Sequence, residues 1–319
     1  MHSRRYLRTK TLQALFEYEI GQNTTSTIGE KNLFTNINHL KTISLSQFQI
    51  ILEFKRLALD RIEAAKKKYL PTEADLNPNL KFANLRIFKI LEENISYQDE
   101  ISKEKIDIHS DIDIIRLVFQ NIINSETYAN FMNVEDDSFD DEKDFIISIF
   151  KDYMVNSDAL ASAFADKKLH WYADFFEAAL VTARTIKNLD CDMKNDEVFP
   201  LLNIDIEDHE DDVMFVKTIY RSVIQNSDKY IELITSRLHN WDLDRLATLD
   251  LIILKMAIAE FIECPSVPIK VTINEYIELS KDYSTPKSKS FINGLLDRIS
   301  SELLANETIK KTGRGLISQ

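Results

Sequence analysis

Five glycines in 319 residues are what most narrows the folds open to this chain. Tight hairpin turns lean on Gly, and phosphate-cradling loops require it. With only six prolines besides, long stretches carry no chain breaker. No GxGxxG, GxxxxGK or HExxH pattern occurs, so sheet-rich and nucleotide-binding folds are disfavoured. Helix is the expected state throughout, and the fold class is all-α. At 44% hydrophobic residues the chain can build the cores of two domains.

Cys191 and Cys264 sit in no CxxC pair, which argues against a disulfide framework or a zinc site and fits a reducing, cytoplasmic setting. Glu17 and Glu19 interrupt the basic start before any secretory apolar region can form. The longest aliphatic run, about Leu251–Leu254, is too short to span a bilayer, so no membrane partner is expected.

A net charge of −13 argues against a nucleic-acid partner until its distribution is considered. Residues 1–20 carry four basic and two acidic side chains, residues 21–205 carry 21 and 32, and residues 206–319 carry 14 and 18. The acidity belongs mostly to the middle, and a basic patch can survive at the ends.

Apolar spacing predicts a first helix over 3–19, then a polar loop over 21–30. A long helix follows near 46–69, opened by a Ser46/Gln49 capping box. Pro71 and Pro78 bracket a linker ahead of a helix near 80–94. Further helices are expected within 109–132, 143–155 and 168–188. Five more fall near 213–225, 227–239, 243–262, 268–282 and 287–305. The acidic stretch Glu135–Asp144 lacks the Gly and ligand spacing of a calcium loop and reads as acids favouring a helix start. Residues 145–174 align without gaps on 215–244. Phe145/Phe215, Ile149/Ile219, Asn156-Ser157-Asp158/Asn226-Ser227-Asp228, Trp171/Trp241 and Asp174/Asp244 are identical. Either an internal duplication or shared cap chemistry accounts for this.

Two blocks carry a family resemblance. The first is Ser3-Arg4-Arg5-Tyr6-Leu7-Arg8, running into Gln13-Ala14-Leu15-Phe16. The second runs from Asn240-Trp241-Asp242-Leu243-Asp244-Arg245-Leu246 through Asp250, Ile253-Leu254-Lys255 and Glu260 to Val267-Pro268-Ile269-Lys270-Val271. It continues through Ile273-Asn274-Glu275 and Glu278-Leu279 to Ser288, Phe291-Ile292-Asn293-Gly294 and Leu296-Asp297. In order and spacing these blocks resemble the NusB family of transcription antitermination factors.

The resemblance implies a pair of three-helix bundles, to which an additional inserted helical domain is added here. The expected organisation is residues 1–20 as the first core helix, 21–205 as an acidic inserted domain and 206–306 as the remaining core; residues 307–319, with Gly313, Gly315 and no periodicity, are expected to be a disordered tail. It further implies no catalysis and no cofactor or metal. The implied partners are single-stranded boxA-like RNA of ribosomal RNA leaders, the ribosomal protein NusE, and the RNA polymerase elongation complex with other Nus factors. A NusB-like module also precedes ribosomal-RNA methyltransferase domains. Such an enzyme needs a Gly-rich cofactor loop and a catalytic cysteine, and only Cys264-Pro265, inside the helical block, offers itself. A pure protein-interaction scaffold using the acidic insertion is the other alternative.

The residues support particular roles. Arg4, Arg5 and Arg8 lie three or four apart on one helix, so their guanidinium groups can converge on phosphates or stack on splayed bases, with Lys10 nearby. Cations at a helix N-terminus oppose its dipole, and a functional use of them is the favoured account. Lys270, Lys287 and Lys289 are further RNA candidates; the last two belong to a loop over 284–289 that lacks the family's usual Gly. By the resemblance Phe291 lies near the RNA path, although core burial is the simpler reading. Phe16, Asp244 and Asp250 map to the NusE-facing surface; for Phe16, plain core packing stays equally open. Ser266 or a Thr272–Glu275 box is expected to cap the helix that Pro268 and Lys270 begin. Gly294, mid-helix, is expected to permit close helix approach.

Overall fold

The computed structural model describes residues 2–21, 25–135, 137–238 and 246–316. Among the described residues the regular structure is helical and no strand occurs. The α-helices in chain order are α1 (Arg4–Ile20), α2 (Ser26–Lys66), α3 (Glu73–Leu76), α4 (Arg86–Glu93), α5 (Ile95–Glu104), α6 (Ile112–Ile123), α7 (Glu126–Asn133) and α8 (Phe139–Ile149). They continue with α9 (Asp158–Lys167), α10 (Trp171–Lys187), α11 (Glu210–Gln225), α12 (Ser227–Thr235), α13 (Thr248–Glu263), α14 (Ile269–Tyr283) and α15 (Pro286–Ala305).

The chain divides into two compact units, one of Met1–Ile37 with Asp205–Gln319, the other of Asn38–Ile204. The first division falls later than the expected residue 20, for a local reason. Within the span expected as a loop, α2 already starts at Ser26, and it runs 41 residues without a break. Its opening turns are held in the first unit. Arg221 pairs in bidentate fashion with Glu30, the Tyr6 hydroxyl donates to Ile37 O at 3.3 Å, and Lys217 lies over the Phe34 ring. The Ser46/Gln49 box does not form either. The Ser46 hydroxyl donates back to Thr42 O, and the Gln49 amide donates to the Tyr97 hydroxyl, so position 46 is mid-helix.

In the first unit α13 is the axis. Ile252 to Phe261 are all buried, Lys255 and Glu260 among them, in a helix otherwise apolar on every side. It packs with α1 and α11 as one mutual triad and with α14 and α15 as another, so the expected pair of three-helix bundles appears as two triads that share α13. The tail is not disordered through residue 316. Ile309 and Lys311 are buried, and Lys311 Nζ donates to Cys264 O at 3.0 Å, satisfying a carbonyl that the end of α13 leaves open. Thr312 N–H donates to Pro265 O at 3.0 Å.

The second unit packs aromatic rings densely, with Phe131 stacked on Phe145 at 3.9 Å and Phe48 edge-on to Phe199 at 5.4 Å. Asp140, Asp141 and Glu142 occupy the first turn of α8 behind a Ser138 cap, as the helix-dipole reading requires. The apparent repeat is met only in part. Phe145 and Phe215 are both buried, as are Ile149 and Ile219. However, α8 runs into a π-helical segment over Phe150–Val155, whereas α11 stays α-helical to Gln225. Ser157 caps α9, but Ser227 is already the first residue of α12. Trp241 and Asp244 lie outside the described residues, so the far end of the repeat has no structural counterpart to weigh.

Candidate nucleic-acid and partner interface

Ser3 accepts from Tyr6 N–H at 3.1 Å and starts α1, which sets the directions of the arginines that follow. They do not converge on one open surface. Arg8 turns inward and is 3% exposed. Its Nε and Nη2 donate to the two Glu260 oxygens at 2.8 and 2.6 Å. Glu260 is fully buried and also accepts from the Thr272 and Tyr276 hydroxyls at 2.9 and 3.0 Å. Burial works against the Arg8 charge, and the Glu260 carboxylate more than offsets it, leaving the guanidinium raised. Burial likewise drives the Tyr276 phenol well up.

Arg8 therefore has no face left for a phosphate, and neither has Lys10. That lysine is 1% exposed with its Nζ 5.4 Å from the Tyr6 ring centre. Both cations belong to the packing of α1: Arg8 faces Glu260 on α13, and Lys10, two residues on and so on the other side of the helix, is buried beside Tyr6. Thr272 is drawn into the same cluster, which is why no Thr272–Glu275 box forms; α14 instead begins after Pro268 without a side-chain cap.

Arg4 and Arg5 remain at the surface. Arg4 is about one-third exposed; its Nη1 donates to Asp211 O at 3.1 Å, and its guanidinium lies 4.4 Å over the Phe215 ring. Arg5 is more open and makes a bidentate pair with Glu275 at 3.1 and 3.0 Å, the chief reason its guanidinium is raised. An exposed pair of this kind is weak enough to exchange for another anion.

Lys270 is exposed in the first turn of α14. Lys287 and Lys289 are exposed as well, but within the first turn of α15, because Pro286 starts that helix four residues earlier than a loop over 284–289 would allow. Between them Ser288 points inward and donates to Asp250 Oδ2 at 2.7 Å. Asp250 is buried, so it is not a surface acid for a basic partner; it anchors the start of α15 and thereby positions the two lysines.

Phe291 is half-buried, one turn beyond Lys287. It borders a groove of about 380 Å³ shared with Arg237, Ser290, Gly294 and Arg298. Gly294 does not mediate a close helix approach: among the described residues nothing lies within 4 Å of where its Cβ would be. Lys287, Phe291, Gly294 and Arg298, spaced four, three and four, thus make one row of cation, ring, gap and cation. Arg298 was missed in the sequence although this spacing contains it. Arg237 comes from just beyond α12 and is paired with Glu302, its Nε donating to Oε2 at 2.6 Å. Nothing in the sequence ties it to α15.

Phe16 is half-exposed near the end of α1, with Ile20 one turn on and largely exposed. Asp244, the remaining partner candidate, lies outside the described residues. Among the described residues no helix is long and apolar enough to cross a membrane.

These elements define an all-α module built on one buried helix, with its first helix locked by an internal ion pair and its last bearing a basic and aromatic row. Residues 177–301 match the model of the NusB family. The match begins within α10, earlier than the resemblance alone suggested, and leaves residues 1–20 outside it. Three relatives are each a transcription antitermination protein NusB. That of Chloroherpeton thalassium is 43% identical over 103 residues, covering 32% of this chain and 49% of the relative. That of Salinibacter ruber is 38% identical over 103 residues, covering 32% and 64%. That of Bacillus licheniformis is 40% identical over 98 residues, covering 31% and 75%. The chain thus spans about half to two thirds of the length of the first two relatives. No solved structure matches significantly. The chain belongs to the NusB family.

Proposed function

We propose that this protein is an RNA-binding transcription antitermination factor that acts by recognition, without a catalytic step. Its ligand is single-stranded boxA-type RNA of ribosomal RNA leaders, bound together with the ribosomal protein NusE. The complex then supports processive transcription by the RNA polymerase elongation complex with other Nus factors. Family membership and the names of the relatives support the antitermination role.

The observation that carries RNA binding is the row on α15. Lys287 and Lys289 are exposed in a helix's first turn, where the dipole disfavours cations, and a half-exposed ring follows one turn on. Cations suit phosphates, and an aromatic face suits an unstacked base. Arg4, Arg5 and Lys270 add phosphate contacts, while Arg8 and Lys10 act only by holding α1. Phe16, joined by Ile20, is the NusE contact; Asp250 supports α15 from within. The test is anisotropy of a labelled boxA-type oligonucleotide, titrated with the protein alone and with NusE present. Tighter binding with NusE supports the reading, and no binding in either titration refutes it.

A further inference from the structure

The unit of residues 38–204 presents a helix face that its own elements leave uncovered. Inwardly α10 buries Phe175, Ala178, Ala179 and Thr182. It is tied to α2 by the Gln47 amide donating to Phe175 O at 2.9 Å and the Ser44 hydroxyl donating to Ala178 O at 3.3 Å. Outwardly it shows Tyr172, Phe176 and Leu180, which are 43%, 37% and 62% exposed, and Leu169 in the turn before is 88% exposed. Steps of four residues place Tyr172, Phe176 and Leu180 in one row, and Leu169 lies in the turn at its start. The Tyr172 and Phe176 rings meet edge-on at 5.6 Å, so the row is continuous where it is widest. Single exposed apolar residues are ordinary; a contiguous row marks a binding face.

Charge selects the occupant. The row ends at Arg184 and Lys187, both exposed and with no ion-pair partner among the described residues. This happens in a unit whose acidic side chains outnumber its basic ones by 30 to 20. Their position at the end of α10 offsets the helix dipole, but that role does not require them to stay unpaired. A second copy of the chain fits poorly. Antiparallel pairing of the two rows sets Arg184 of one against Lys168 of the other, and parallel pairing sets Arg184 against itself. A lipid surface fits poorly too, since stable attachment needs a wider apolar face or a larger basic cluster than two cations at one end.

We propose that this row is a docking surface for an acidic amphipathic helix of another protein. Its apolar side chains would repeat every three to four residues over about three turns against Tyr172, Phe176 and Leu180, with carboxylates against Arg184 and Lys187.

Three labelled peptides of about 16 residues test this on the full-length protein. One places leucines on a single helical face and glutamates at the end facing Arg184; the second scrambles that sequence; the third replaces each glutamate by lysine. The first peptide is expected to bind at least tenfold more tightly than the other two. The Phe176→Ser/Leu180→Ser variant is expected to lose at least tenfold in that affinity. Arg184→Glu/Lys187→Glu should lose affinity and also its salt dependence. Circular dichroism should show both variants folded, and their RNA binding should be unaltered, which separates this test from that of the proposed function. No saturable binding of the first peptide, or equal binding of the scrambled one, overturns the proposal. So does self-association in sedimentation that Phe176→Ser/Leu180→Ser abolishes, or binding to phosphatidylserine vesicles that the same variant abolishes.

Discussion

Arg8 on α1 and Glu260 on α13 are 252 residues apart in sequence and meet through two hydrogen bonds of 2.8 and 2.6 Å, both side chains shut away from solvent. The pair ties the first helix of the chain to the axis of the first unit. A buried ion pair adds little net stability over an apolar pair of like volume, yet breaking it strands a charge in the core. Arg8→Ala is therefore expected to destabilise the unit by about 3–5 kcal/mol in urea unfolding. Arg8→Met/Glu260→Leu should recover much of that loss. Equal destabilisation by the single and double variants would mean that packing, not the stranded carboxylate, dominates.

Asp250 provides a second test, because its burial beneath Ser288 contradicts a role on the partner surface. Asp250→Ala should cost about 1–3 kcal/mol, since the Ser288 hydroxyl loses a buried acceptor. RNA affinity should fall with it as the start of α15 loosens, while calorimetry with NusE should show unchanged affinity. Phe16→Ala should give the opposite pattern: weaker NusE binding, and a fold that circular dichroism finds intact.

The start of the chain predicts a pH dependence. His2 is buried against Asp212, which accepts from the His2 backbone N–H at 2.9 Å, and burial lowers the His2 imidazole below its usual 6.5. The unfolded chain therefore binds a proton more readily than the folded one. This contribution to stability is whole above about pH 6.5 and is lost as the pH falls below it toward the folded value. His2→Asn should flatten the decline in unfolding free energy on the acid side of 6.5. An unchanged slope in this variant would remove His2 from the account.

Thiol reactivity reports on the docked tail. Cys264 lies under the segment that Lys311 and Thr312 hold in place, and burial pushes its thiol up to about 12. Cys191 is exposed. In the native protein a thiol reagent should modify Cys191 first and Cys264 only on opening. Ending the chain after residue 307 should bring the Cys264 rate up many-fold. Equal rates with and without the tail would show that it does not cover the cysteine.

Much of the helical order was legible because apolar spacing and scarce glycine both point to helix. What misled was chemistry that looks alike from either side of a helix. Arg8 has the same i, i+4 relation to Arg4 whether it faces RNA or Glu260, and only the tertiary fold brings Glu260 to it. A glutamate inside the apolar run from Leu251 to Phe261 was the available sign of a buried cation elsewhere. Ser46 and Gln49 fit a cap by type and spacing, yet the helix runs past them because Ile37, Leu40, Ile43 and Leu45 keep an apolar face ahead of them. Gly294 suggests a contact point by its place in mid-helix, but an absent side chain marks a gap as readily as a close approach.

The central claim is that RNA is held by the open cations, with Arg8 and Lys10 serving only the fold. The most direct measurement is the salt dependence of RNA affinity, which counts phosphate contacts at about 0.7 per contact on single strands. Arg4→Ala/Arg5→Ala and Lys287→Ala/Lys289→Ala should each reduce the slope by about 1.4. Lys10→Met, which removes a buried charge and keeps the volume, should leave the slope where it is in whatever fraction remains folded. A slope unaltered by both surface pairs, or one reduced by Lys10→Met alone, would contradict the account.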